Sequence, residues 1–140
     1  IVAGGSRLQG DHAAGYFLPV TVLADVANGS ELAQHEVFGP VLAVTPFDSE
    51  DEAIALANGT DYGLGAYIHT RNLRRAHHVA GQLQAGQIQV NGAGEAMTPC
   101  VPFGGWKQSG YGRLGGEQGL REFLQTKNVW VNLAPPEAAR

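Results

Sequence analysis

One cysteine, Cys100, and five histidines are the side chains of this 140-residue chain whose chemistry lies nearest neutral pH. Cys100 stands between Pro99 and Val101, with no glycine-rich turn or helix start to activate it, so the expectation is an inert or pocket-lining thiol. It has no second cysteine for a disulfide or a thiolate metal cluster, which suits the reducing cytoplasm. His77 and His78 are adjacent and so point to different sides of a helix, while His12, His35 and His69 fall in separate segments without a ligand spacing. No metal centre and no catalytic group is expected within the chain. Two other runs carry polar groups in a defined context. His35-Glu36-Val37-Phe38-Gly39-Pro40-Val41 sets an acceptor-only carboxylate two residues from an aromatic ring. Pro102-Phe103-Gly104-Gly105-Trp106-Lys107-Gln108-Ser109-Gly110-Tyr111-Gly112-Arg113 is a glycine-rich path in which Lys107 and Arg113 are expected to satisfy backbone carbonyls or neighbouring acids.

Elements that could hold these runs follow from periodicity. Apolar stretches of strand length alternate with stretches of helical period, punctuated by 20 glycines, which is an α/β pattern. Strands are expected at Ile1 to Ala3, Phe17 to Leu23 (with Pro19 suiting an edge), Val41 to Phe47, Leu64 to His69 and Gln87 to Asn91. Ser49-Glu50-Asp51-Glu52 is a capping box that opens a helix to Asn58, stopped by Gly59. Leu73, Ala76, Ala80 and Leu83 form the apolar stripe of a second helix ending at Gly86, with Arg71, Arg74 and Arg75 on its solvated face. The strand-helix-strand-helix-strand succession from Val41 to Asn91 implies a parallel sheet with right-handed crossovers. Gly92 to Gly112 reads as one long irregular stretch, of the kind that is usually functional. Leu120, Phe123 and Leu124 mark a short helix, Lys127 to Leu133 alternates as a strand, and Ala134 to Arg140 reads as a tail.

Composition narrows the class. A chain 44% hydrophobic and 16% charged can bury a core, and its size fits one compact domain. A net charge of -4 argues against nucleic acid, which needs a surplus of Lys and Arg on one face. No apolar run approaches the roughly 18 residues that a membrane span requires, and the opening residues do not read as the charged-then-apolar pattern of a signal peptide. The start at Ile1 rather than Met suggests a piece of something longer.

Gly15-Tyr16-Phe17, the Glu36 to Val41 block, Thr60-Asp61-Tyr62-Gly63-Leu64, Val90-Asn91 and the Pro102 to Arg113 block, in this order and spacing, resemble the NAD(P)-dependent aldehyde dehydrogenase superfamily over nearly the whole chain. The resemblance implies the C-terminal part of the catalytic domain over 1–115, a helix and oligomerisation strand over 116–134, and a tail over 135–140. It implies an oxidoreductase in which a cysteine thiolate attacks the aldehyde, the hemithioacetal passes a hydride to NAD or NADP, and a glutamate activates the water that hydrolyses the thioester. Both of those groups, and the turn that selects NAD or NADP, match positions upstream of Gly15. The isolated chain is therefore expected to be inactive. What carries over is the cofactor's nicotinamide end: Glu36 would accept hydrogen bonds from the ribose hydroxyls, Phe38 would pack beside the nicotinamide, and Leu64 would add an apolar wall. The loop from Gly92 to Phe103 resembles the substrate-pocket loop, with Phe103 as a tunnel wall and Met97, Thr98 and Cys100 as further pocket candidates.

Three positions depart from the family pattern. Leu114 stands where many members place a glutamate proposed to shuttle protons, Val20 where proline is usual, and Gln125 where an acid often makes an ionic contact between subunits. The implied partners are an aldehyde substrate and further copies of the chain through the 127–133 strand, with no nucleic acid and no membrane. A competing reading is a non-catalytic remnant of such an enzyme serving as an association module.

Overall fold

The computed structural model describes residues 1–92 and 98–133. Three of its helices begin where a side chain takes up an amide that the first turn leaves free. Ser49 caps α2 (Glu50–Asn58), its hydroxyl accepting from the Glu52 amide at 3.1 Å, while the Glu52 carboxylate accepts from the Asp48 amide at 2.7 Å. The capping box is present, with its carboxylate turned to the amide one residue ahead of the cap. Asn72 caps α3 (Leu73–Gln82) through the Arg75 amide. Ser30 does the same for α1 (Glu31–Gln34), a single turn that periodicity is too short to reveal. A 3-10 turn at Gly10–His12 and the short α4 (Gly116–Arg121) complete the helical set among the described residues.

Six strands pair two by two. β1 (Thr21–Leu23) runs parallel to β2 (Val41–Ala43), β4 (Gly65–Ile68) runs parallel to β5 (Gln87–Val90), and β3 (Tyr62–Gly63) is antiparallel to β6 (Trp106–Lys107). The α/β class and the parallel pairing expected from sequence are both present. The ladder is not continuous from Val41 to Asn91 among the described residues, however, because β2 bonds to β1 and β4 bonds to β5. Several strands are shorter than their apolar runs. Ile1 to Ala3 contributes only a bridge from Ala3 to Val22, and Phe17 to Val20 lies outside β1. This bridge puts a neighbour on the second side of β1, and Pro19 sits before the ladder rather than in it.

Other boundaries also move. α3 stops at Gln82, four residues short of Gly86, because Leu83 turns to extended backbone. Ala76 and Leu83 of its stripe are buried, but Leu73 is 73% exposed and lines an open cleft with His69, Val90 and Asn91, where the two-stranded ladder has ended. Arg71, Arg74 and Arg75 are exposed as expected, with Arg75 reaching Glu50 at 2.6 Å. The stretch from Gly92 to Gly112 is not wholly irregular, since it holds β6. α4 ends before Phe123 and Leu124, both exposed. The run 127–133 joins no ladder among the described residues. The tail at 134–140 lies outside the described residues.

The core sits where α3 crosses β4, and its buried hydrophobic side chains among the described residues are Ile68, Ala76 and Leu83. Against this stand many exposed large apolar groups, among them Tyr16, Phe38, Phe123 and Trp130. Such a surface far exceeds what a single soluble domain leaves uncovered. The isolated chain is therefore expected to self-associate in sedimentation velocity at micromolar concentration. A monodisperse monomer that melts cooperatively would contradict this.

Candidate functional site: two clefts that share Leu64

β4 and β5 place their pairing start where the chain first approaches the glycine-rich block. Two bonds continue the ladder upstream of the strands: the Gly86 amide donates to Gly63 O and the Gln87 amide to Leu64 O, each at 3.0 Å. Gly86 has to be glycine for a reason unrelated to helix ending. A Cβ there would lie 1.7 Å from Gly104 O, so the 102–105 segment passes directly over it. Gly63 is equally confined, with a Cβ falling 2.4 Å from Gln84 O. At the opposite, carboxyl end of the ladder, Asn91 exchanges side-chain bonds with the Thr70 amide (2.9 Å) and Thr70 O (2.8 Å), tying the end of β5 to the residue pair after β4.

Two clefts open beside this seam. The first, of about 330 Å³, is lined by Glu36, Asn58, Tyr62, Leu64, Gln84 and Ser109 among others. The second, of about 590 Å³, is lined by Leu64, Tyr67, Gln87, Thr98, Val101 and Phe103 among others. Leu64 lines both. The sequence-based cofactor candidates Glu36 and Leu64 thus meet at one cleft, and the pocket candidates Thr98 and Phe103 meet at the other. Glu36 is exposed and its carboxylate accepts no bond from any described residue, which leaves both oxygens available to a ligand's hydroxyls. Phe38 is 97% exposed and lines neither cleft. Cys100 is an exposed thiol in the turn closed by the Val101 amide on Thr98 O, outside both linings. Met97 lies outside the described residues.

The glycine-rich block does more than was legible in it. Phe103 and Leu114 form an antiparallel bridge with both backbone bonds at 2.7 Å, so the residue in place of the usual glutamate faces the tunnel-wall candidate across a pair. Arg113 donates to Gly105 O and Gly112 O, and Lys107 to Asn58 O and Thr60 O, the carbonyl-satisfying roles expected of them. Gln87 Nε2 donates to Pro102 O at 2.9 Å, linking β5 to the residue before Phe103. Ser109, Gln84 and Asn58 were not singled out by sequence. Ser109 lies within the glycine-rich block, and nothing beyond that place marks it.

Comparison with known proteins bears on the family and the fold. The profile of the aldehyde dehydrogenase family matches residues 1–129. A betaine aldehyde dehydrogenase from Cereibacter sphaeroides is 45% identical over 96% of the chain and 28% of its own length. Among solved structures, a betaine aldehyde dehydrogenase variant from Staphylococcus aureus in complex with NAD+ superposes with a TM-score of 0.88 at 38% identity, over 96% of this chain and 28% of that one. A Mycobacterium tuberculosis aldehyde dehydrogenase with NAD+ gives 0.83 at 40% identity, over 99% and 28%. A variant of aldehyde dehydrogenase C from Pseudomonas syringae, with NAD+ and octanal, gives 0.81 at 43% identity, over 89% and 25%. The fold is thus that of part of an α/β oxidoreductase catalytic domain. The chain belongs to the aldehyde dehydrogenase family, and spans a little over a quarter of the length of these relatives.

Gly86→Ala is expected to lower the stability of the complete protein by about 2 kcal/mol or more, since backbone must separate from backbone to admit the methyl group. Urea unfolding checks this; a midpoint equal to that of the parent would mean that the 102–105 segment does not lie against Gly86.

Proposed function

We propose that this chain is the part of an NAD-dependent aldehyde dehydrogenase that receives the nicotinamide end of the dinucleotide and one wall of the aldehyde pocket. The observation that carries this reading is the pair of clefts sharing Leu64, one with an unpartnered Glu36 carboxylate and the other with Thr98 and Phe103. The carboxylate suits the task, because two ribose hydroxyls are donors and an ionised carboxyl offers only acceptors. When bound, the dinucleotide supplies the hydride acceptor for the oxidation of the aldehyde to a carboxylic acid.

The work of this chain's residues is placement. Glu36 holds the ribose and Leu64 excludes water between ribose and aldehyde. Phe38, exposed and without a partner here, packs against the nicotinamide once the upstream nucleotide-binding half is in place. Phe103 and Thr98 shape the aldehyde side, with Cys100 and Met97 close by in sequence. Holding the reacting carbons within about 3 to 3.5 Å is what such walls contribute to rate. The relatives' names extend from betaine aldehyde to octanal, so the reading covers aldehydes as a class. Their solved complexes hold NAD+, which favours NAD over NADP. The nucleophilic cysteine and the general base come from the upstream segment. The exposed Val129, Trp130, Val131 and Leu133 give 127–133 the apolar surface of an oligomerisation strand, through which copies of the enzyme pair. The lone thiol suits the reducing cytoplasm.

In the complete enzyme, Glu36→Gln is expected to raise KM for NAD+ roughly tenfold or more, because one acceptor becomes a donor facing the ribose hydroxyls. Steady-state NADH formation reads this directly, and unchanged NAD+ kinetics would remove Glu36 from the cofactor site. The 140-residue chain alone is expected to show no aldehyde-dependent NADH formation, since losing the nucleophile of a covalent mechanism can cost ~10⁶ in rate. Turnover by a preparation whose denatured mass is 14.7 kDa would overturn the assignment of the nucleophile to an upstream segment.

A further inference from the structure

The wall of the Glu36 cleft is positioned from a distance. Asn58 to Leu64 joins the end of α2 to β4 with little secondary structure of its own, and the turn at Trp106 to Ser109 grips it along its length. Lys107 Nζ donates to Asn58 O and to Thr60 O at 2.8 Å each, across 49 and 47 residues of sequence. The Gln108 amide donates to Asp61 O at 2.9 Å, and the Gly63 amide donates to Ser109 Oγ at 3.0 Å. β3 and β6 then pair Tyr62 with Lys107 and Gly63 with Trp106.

Two features single out Lys107 within this grip. Its ammonium meets carbonyls at the C-terminal end of α2, where unpaired backbone oxygens concentrate partial negative charge and a cation is favoured. Its backbone is left-handed, with φ of 53°, a conformation that carries a cost for a residue with a Cβ and that glycine or asparagine would accept more readily. A lysine at a strained position points to a use for its side chain. Lys107 lines neither cleft, whereas Asn58, Thr60, Tyr62, Gly63 and Leu64 all line the Glu36 cleft.

We propose that Lys107 is a positioning residue for the dinucleotide: by drawing the end of α2 onto the Trp106 to Ser109 turn, it sets the height of the Asn58 to Leu64 wall opposite Glu36. This rests on the reading of that cleft as the nicotinamide end of the cofactor site. The mechanism is static and acts on binding through Asn58 to Gly63, whereas Leu64, the part of the wall shared with the aldehyde cleft, is held separately by the Gln87 amide on its carbonyl.

The test uses the complete enzyme with NAD+ and a simple aliphatic aldehyde. Lys107→Met is expected to raise KM and the fluorescence-measured Kd for NAD+ about tenfold, the usual scale for losing hydrogen bonds from a charged donor, while KM for the aldehyde stays within about twofold. Lys107→Arg, which keeps a donor cation, is expected to recover most of the affinity. Lys107→Gly, which relieves the backbone but lacks the ammonium, is expected to remain as weak as the methionine variant. Unchanged NAD+ affinity in Lys107→Met, or full recovery in Lys107→Gly, would overturn the proposal. Should Lys107→Met fail to fold, Ser109→Ala removes the acceptor of the Gly63 amide in the same turn, and NAD+ affinity equal to the parent's would overturn it as well. A parent enzyme that forms no NADH with any aldehyde overturns the function reading and this inference with it; an active parent with unmoved NAD+ constants overturns the inference alone.

Discussion

The short backbone seam between Gly63-Leu64 and Gly86-Gln87 is what the rest of the described structure depends on. It extends the β4 and β5 ladder by one step on the side where three segments crowd together: the end of the β3 strand, the link after α3, and the 102–105 segment lying over Gly86. Close packing of backbone on backbone is possible there only without side chains, and all three segments supply glycines at the contact: Gly63, Gly86, and Gly104 with Gly105. Leu64, bonded through its carbonyl to the Gln87 amide, is thereby held in a single place from which it faces two clefts. Geometry at this seam, rather than any reactive group, gives the chain its part in a site.

Legibility in the sequence divided along physical lines. Helix starts were readable because a capping residue acts over three or four positions, so Ser49 and its carboxylate partner could be recognised from their spacing. Strand ends were less readable. An apolar run such as Val41 to Phe47 reports burial, but only a neighbour can terminate a ladder, and β2 stops where β1 does. Gly86 is the clearest instance of a right residue with a wrong reason, since glycine after a helical period signals a helix end and equally a close approach by a distant segment. The sequence carries no mark that distinguishes these two. The run 127–133 has a strand's alternation but joins no ladder among the described residues, because alternation reports two unlike faces whereas a ladder needs a neighbouring strand.

The candidate site was legible through the blocks that resemble the family, and much less through residue types taken singly. Glu36 and Leu64 are 28 positions apart with nothing local to connect them, yet they line one cleft. Ser109 and Gln84 line it too, and neither belongs to a pattern that sequence reasoning recognises in isolation. Phe38 and the apolar side chains from Val129 to Leu133 are alike exposed, in a chain that spans a little over a quarter of the length of its relatives.

A wall common to two compartments restricts how a catalyst can diversify. On the proposed reading of the two clefts, trimming or enlarging Leu64 to suit a different aldehyde would alter the neighbouring compartment at the same time, so changes at this position would carry correlated effects on both ligands. Thr98 and Phe103, which line only the larger cleft among the two, are free of that linkage. Variation in substrate range within such an architecture therefore has a cheap route through the loop and an encumbered one through the sheet, and a lineage exploring new aldehydes would accumulate its substitutions on the loop side.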